Sequence, residues 1–412
     1  MVPHDDSLLL GFSSPLFRDS RGRLLAERQT ILGLKAWREN FDRVTAFSIC
    51  RDGPAPAGWQ DAEAEGITAP EIETVALPNT YSLRTLLAQR RTLEGRMLEL
   101  MQSARYRTFA YGGWIGDPGE IAASVARRHG MSHAVWFDRV ESQVARAETG
   151  DTAAARLKTN LRAAVFSYHE NRAARLADLA LLHGATVFDH FKDIARNPYQ
   201  VEDVHFTESD RVSGEFVAEK AARAATGPLN ILYCGRAAAM KGPRDWLGVI
   251  TGLKARGIAF RARWLGDGEL LDELRQAATG AGLTSDELRF EGFVSDPEKV
   301  RAAYREADLL LFCHLTDESP RNLIESLHSA TPLIGYRDPY SAELTGEKGA
   351  GILVGRGDTS ALIEAIAALD ADRPRLSDLI HRAGLSAAHL TRANVFRHRS
   401  EIIRNQLNQP RP

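Results

Sequence analysis

From residue 231 to 354 the chain repeats one pattern: a short apolar run, a break, then a helix-like segment. The runs are Ile231–Cys234, Arg261–Leu265, Leu288–Phe290, Leu309–Phe312, Leu333–Gly335 and Gly351–Val354. Several of them stop at Gly, Asp or Arg. Strands that alternate with helices in this way fold as a parallel sheet covered by helices on both faces. Ligands of such sheets bind at the carboxyl edges of the strands.

The first half carries the same alternation less sharply. Strands are predicted at Ser7–Phe12, Val44–Ile49, Thr108–Tyr111, Ala134–Phe137 and Ala185–Phe188. Helices are predicted at Leu25–Phe41, Thr80–Met101, Gly119–Arg128 and Ala153–Leu182. A less regular stretch, Asn197–Pro228, ends in the turn signal Thr226-Gly227-Pro228. A chain of 412 residues exceeds one ordinary core. We therefore divide it into domains 1–210 and 211–388 and a terminal segment 389–412 that carries a helix over Leu390–Leu407.

Composition narrows the partners. A hydrophobic content of 44% and a charged content of 26% are those of a soluble globular protein. A net charge of −2 gives no reason to expect nucleic acid. Cys50, Cys234 and Cys313 are far apart and form no CxxC pair, which suits buried thiols in a reducing compartment. The N-terminus MVPHDDSLLLGF sets acids before its apolar run and lacks the basic start of a secretory signal. No segment approaches the ~18 apolar residues of a membrane span. The expectation is a cytoplasmic protein.

Two clusters carry chemistry. In LNILYCGRAAAMKG an apolar run stops at Gly235 and delivers Arg236, then Lys241 and Gly242. A guanidinium grips two phosphate oxygens in a fork, and an ammonium adds a point charge. In DESPRNLIE, seven residues separate Asp317 from Glu325, with a helix start near Ser319 and Pro320. The amides of Ser319, Arg321, Asn322 and Leu323 suit phosphate oxygens, and Glu325 suits the two hydroxyls of a ribose. The plainer readings are a solvated loop with two cations and ordinary capping by Asp317 or Glu318. Gly266, Asp267 and Gly268 form a turn at the same edge, and Phe293 and Val294 follow the next strand. On the N-terminal side stand Ser13 and Ser14, Gly113 and Trp114, and Asp138, which either orients a hydroxyl or forms a structural ion pair. The histidines, among them His129, His133, His169, His183, His190 and His205, show no metal spacing and suit the surface or caps. Asp370-Ala371-Asp372 reads as a polar helix end.

The second half resembles the donor-binding domain of the retaining glycosyltransferases of family 4. The resemblance rests on Gly235-Arg236, Lys241-Gly242, Gly266 to Leu270, Phe290, Gly292, Val294 and Glu325. The first acidic position of the family is Glu, and Asp317 stands there. The family usually has a Gly-Gly pair where this chain has Ser13-Ser14, and a His where it has Asp138.

The resemblance implies an α/β protein of the GT-B fold: two Rossmann-like, doubly wound domains facing across a cleft, with the last helix crossing back to the first. It implies sugar transfer with retention from a UDP- or GDP-linked donor to a carbohydrate, lipid-linked or small-molecule acceptor. It needs no metal or cofactor, because Arg236 and Lys241 stabilise the leaving diphosphate while Asp317 holds the sugar. Asp138 and the serines fall on its acceptor side. An epimerase or a silent donor-binding scaffold would carry the same donor motifs. The cations Arg156, Lys158, Arg162, Arg172 and Arg175 on the helix from Ala153 suit a solvated face or contact with an anionic membrane.

Overall fold

The structure, a computed structural model, describes residues 6–112, 116–147, 152–316, 318–346 and 349–408. Two compact units divide the chain. The first takes 6–146, 152–205 and 392–408, the second 206–391.

The first unit opens with β1 (Ser7–Gly11), β2 (Leu16–Arg18), β3 (Leu24–Glu27), α1 (Arg28–Arg38), β4 (Arg43–Asp52), β5 (Trp59–Asp61) and β6 (Ile72–Leu77). It continues with α2 (Leu83–Gln102), β7 (Tyr106–Ala110), α3 (Pro118–Arg128), β8 (Ala134–Phe137), α4 (Glu141–Ala147) and α5 (Ala153–Leu176). Then come β9 (Leu179–His183), α6 (Gly184–Phe191) and β10 (Pro198–Val201). Seven strands lie parallel in the order β6–β4–β1–β7–β8–β9–β10. The chain winds outward from β1 in one direction and then in the other, so the winding reverses between β1 and β7. Leu9, Phe47 and Phe109 on the central strands pack against Leu93, Met97 and Met101 of α2 and the alanines of α3.

Three expectations fail in this unit. The helix read from Leu25 starts only at Arg28, because β3 pairs antiparallel with β2 and β5 in a small ribbon on the end of β4. Leu179–His183, read as the end of a helix, is a strand, and Ala185–Phe188, read as a strand, is helical. Every residue of β9 is buried between neighbours on both sides, so tertiary pairing overrides the helix preference of Leu and Ala. The histidines are also not all superficial, since His133 and His183 are buried. In the irregular stretch, β10 had escaped notice.

The second unit runs α7 (Gly214–Ala224), β11 (Leu229–Cys234), α8 (Pro243–Ala255), β12 (Phe260–Leu265), α9 (Leu271–Gly280), β13 (Leu288–Gly292) and α10 (Pro297–Glu306). It continues with β14 (Leu309–Phe312), α11 (Arg321–His328), β15 (Leu333–Tyr336), α12 (Pro339–Thr345), β16 (Gly351–Val354), α13 (Thr359–Ala371) and α14 (Arg373–Ser386). All six strands are parallel, in the order β13–β12–β11–β14–β15–β16. This is the doubly wound order of dinucleotide-binding folds, reversing between β11 and β14. Its core sets Trp264 between Tyr233, tilted at 4.1 Å, and Trp246, edge-on at 5.2 Å.

The last helix, α15 (Arg392–Leu407), belongs to the first unit. There the Arg399 guanidinium lies over Trp37, Trp136 and Phe396 and bonds Asp203 at 3.0 Å. All three cysteines are free, but only Cys313 is fully buried. Among the described residues no helix is long and apolar enough to cross a membrane.

Candidate functional site

A doubly wound sheet leaves a crevice at the carboxyl ends of the strands where its winding reverses. In the second unit that point lies between β11 and β14, so the loops after Cys234 and Phe312 form its walls.

Glycine lets these loops touch. A Cβ on Gly235 would lie 2.8 Å from the Tyr233 hydroxyl, and one on Gly266 (φ +138°) only 2.0 Å from the Gly235 carbonyl oxygen. Gly268 has the same relation to Ala237, at 2.7 Å. Backbone bonds lock the contact: Ala237 N–H donates to the Asp267 carbonyl at 2.9 Å, and Leu270 N–H to the Ala237 carbonyl at 3.0 Å. Gly242 is left-handed, and its Cβ would meet the Cys313 carbonyl oxygen at 1.9 Å. Pro243 then opens α8 at a position where its missing N–H costs nothing.

These constraints bring Lys241 to Glu318. The Lys241 Nζ donates to Glu318 Oε2 at 2.6 Å, with both side chains only 12–13% exposed. His314 approaches Glu318 at 3.8 Å and shares a 3.0 Å hydrogen bond with the Tyr233 hydroxyl. Burial, with the Lys241 charge nearby, holds the His314 imidazole well below its ordinary pKa and keeps it neutral. Glu318 stood in the sequence only as a capping residue. Its pairing across 77 residues is visible only in three dimensions.

α11 is tied to β11 by the Asn322 side chain, which donates to the Cys234 carbonyl at 2.7 Å. It starts at Pro320 without a side-chain cap. Ser319 and Leu323 are buried, and Arg321 is half-buried. The Tyr304 hydroxyl donates to Glu325 at 3.3 Å, and burial raises the Glu325 pKa. Burial and Glu325 also push the Cys234 thiol up to about 12, so it stays protonated. Arg236 and Asp267 are exposed at the rim. Phe293, exposed, and Val294 follow β13, which joins the rim through Gly266 N–H donating to the Gly292 carbonyl at 2.8 Å. Asp317 lies outside the described residues.

In the first unit the reversal lies between β1 and β7. There Ser13 meets Gly112, whose Cβ would lie 2.6 Å from the Ser13 Cβ. Gly113 and Trp114 lie outside the described residues. Ser14 turns to the ribbon and donates to Glu27 at 2.8 Å. Asp138, at the end of β8, bonds His183 at 2.6 Å.

The reading of the sequence missed Asp117. This fully buried carboxylate caps α3, accepting the Glu120 amide at 2.9 Å, and stands 3.5 Å from the Tyr81 hydroxyl. Burial pushes its pKa up to about 7. The run Asp117-Pro118 was its only trace in the sequence, and it reads there as a helix start.

Comparison with known proteins agrees with this layout. Residues 217–384 match the family model of glycosyl transferases group 1. The chain is 30% identical over 119 residues to the alpha-monoglucosyldiacylglycerol synthase of Streptococcus pneumoniae, a match spanning 28% of this chain and 26% of that protein. Sucrose-phosphate synthase of Thermosynechococcus elongatus superposes with a TM-score of 0.69 at 14% identity, over 98% of this chain and 99% of that one. HepE of Anabaena, solved with UDP-glucose, superposes at 0.67 and 14% identity, over 97% and 99%. At such identities these likenesses establish the fold, which is GT-B.

Proposed function

We propose, for a chain whose residues 217–384 match the family model of glycosyl transferases group 1, that it moves a sugar from a UDP- or GDP-linked donor to a hydroxyl acceptor with retention at the anomeric carbon. The Lys241–Glu318 pair at the reversal point of the second sheet carries this reading. An ammonium has three donors. One is spent on Glu318, which fixes the side chain and leaves two for the oxygens of a diphosphate. Arg236 at the rim adds a fork, and the dipole of α11 adds partial positive charge where the leaving group gains negative charge. In this reading these fixed charges do the work of a divalent ion.

Glu325 holds the ribose hydroxyls, Asp317 the donor sugar, and the Gly266–Gly268 turn with Phe293 and Val294 the base. The acceptor belongs to the first unit, near Ser13, Gly113, Trp114 and Asp117. The protein it matches in Streptococcus pneumoniae is named for a glucosylated diacylglycerol. That name supports a lipid-linked acceptor over a small soluble one, and a role in glycolipid or polysaccharide assembly on the cytoplasmic side.

Thermal unfolding with UDP and with GDP tests the donor site. A ligand held only by the folded state raises Tm, by about 2.7 kcal/mol of stability at a hundredfold excess over Kd. One of the two diphosphates is expected to do so. Lys241→Ala is expected to abolish the shift and to cut kcat/KM at least ~100-fold. A native protein indifferent to both diphosphates, or full turnover by Lys241→Ala, would refute the assignment.

A further inference from the structure

α5 is apolar on two opposite faces. Ala163, Phe166, Ala173 and Ala174 are buried against the first unit, together with Glu170, which accepts from the Ser142 backbone and hydroxyl. At 100° per residue, Leu157, Leu161 and Tyr168 fall together on the other side. They are 72%, 66% and 65% exposed. A solvated surface helix instead sets its polar residues opposite its core stripe.

Charge says what the outer stripe meets. Arg156, Lys158, Arg162, Arg172 and Arg175 are all exposed, and the one acid of the helix, Glu170, is buried. The outer face of α5 therefore carries Leu157, Leu161 and Tyr168 in one line that ends at Arg175, with Arg172 and Lys158 along one edge, Asn160 and Asn171 along the other, and no exposed acid. α3 links this helix to an exposed apolar pair on α2, through Glu120 with His169 at 3.0 Å and Arg128 with Glu94 on α2 at 3.0 Å. There Leu83 and Leu87, one turn apart, are exposed beside Arg84 and Arg91.

We propose that the outer face of α5 docks on an anionic lipid bilayer, with Leu157, Leu161 and Tyr168 entering the headgroup layer and Lys158, Arg172 and Arg175 meeting lipid phosphates. Cations with long apolar stems at this depth reach outward to the phosphates while their stems stay among the chains. A second copy of the chain would bring cations against cations, which disfavours self-association through this face. The proposal goes beyond the transfer chemistry, since α5 holds none of the residues assigned to the donor.

Co-sedimentation of the full chain with vesicles decides it. Vesicles of phosphatidylcholine mixed equally with phosphatidylglycerol should bind the protein at low salt and release most of it at high salt, while pure phosphatidylcholine binds little. Lys158→Glu with Arg175→Glu should weaken binding by roughly fivefold for each cation removed. Leu157→Glu with Leu161→Glu should weaken it at least ~10-fold. Both variants should keep the native Tm and any native Tm shift with UDP or GDP, which separates a lost docking face from a lost fold. Native protein that ignores anionic vesicles, or charge-reversed protein that binds them equally, overturns the proposal. So does a native dimer that Leu157→Glu with Leu161→Glu converts to a monomer, for then a second copy covers the face.

Discussion

The two units solve one topological problem with opposite electrostatics. Each winds a parallel sheet outward in both directions from its first strand, and each crowds glycine at the reversal. Gly116 and Gly119 allow the approach to Thr80 and Ala110 in the first unit, as Gly235, Gly242 and Gly266 allow theirs in the second. The difference lies in what the crowded backbone holds. In the second unit it presents a cation, Lys241, balanced by Glu318. In the first it encloses an acid, Asp117, near Glu120 and answered by backbone amides and a tyrosine hydroxyl. A cation with protons to spare suits a diphosphate. An acid that is half protonated near neutrality suits an uncharged hydroxyl. In the proposed reading, that division of labour serves transfer from a nucleotide sugar to an alcohol.

The largest expected effect tests the shared device. Ala at position 266 would need φ near +138° and would drive its Cβ to 2.0 Å from the Gly235 oxygen. Gly266→Ala should therefore cost at least about 3 kcal/mol and remove the nucleotide-dependent rise in Tm. Gly116→Ala meets the Thr80 oxygen at 1.8 Å and should cost as much. It should leave nucleotide binding intact wherever the second unit stays folded. Gly22→Ala, left-handed but in open space, should cost only about 1 kcal/mol. Chemical unfolding curves for the three, with and without UDP, would break the comparison if Gly116→Ala abolished binding.

A smaller effect separates the two carboxylates. Asp117 keeps its proton to a higher pH when folded than when unfolded, so its contribution is complete below the ordinary carboxylate range. That contribution fades as pH rises through about 7. Asn caps a helix as well as Asp does and carries no charge. Asp117→Asn should thus raise Tm more at pH 8 than at pH 5. An equal gain at both values would mean that the acid is not held protonated.

The same contrast explains what could be read in advance. β8, β14 and β16 stood out as apolar runs with clear stops, and the cations and glycines of the second unit stood out by their spacing. Backbone constraints leave such traces, because only glycine satisfies them. β9 and α6 were exchanged because Leu-Ala and Thr-Val report local preference, while pairing with β8 and β10 decided the outcome. The ribbon strands β2, β3 and β5 are three or four residues long, too short for any period to emerge. Glu318, His314 and Asp117 act through partners distant in sequence or through burial, neither of which a linear reading records.

The smallest expected effect sets two buried histidines against each other. His183, at the end of β9, has its pKa raised: burial opposes the charge, but the bond to Asp138 and its field outweigh it. Its stabilising contribution is whole below the ordinary value near 6.5 and is lost as pH rises through the folded pKa. His314 in the second unit is shifted the other way, chiefly by burial, so its contribution is whole above 6.5 and is lost on acidification. These two groups should therefore lose stability on opposite sides of that value, His183 on the alkaline side and His314 on the acid side. His183→Gln should flatten only the alkaline arm of the Tm–pH curve, and His314→Gln only the acid arm. If either substitution flattened both arms, the assignment of one arm to each histidine would have to be given up.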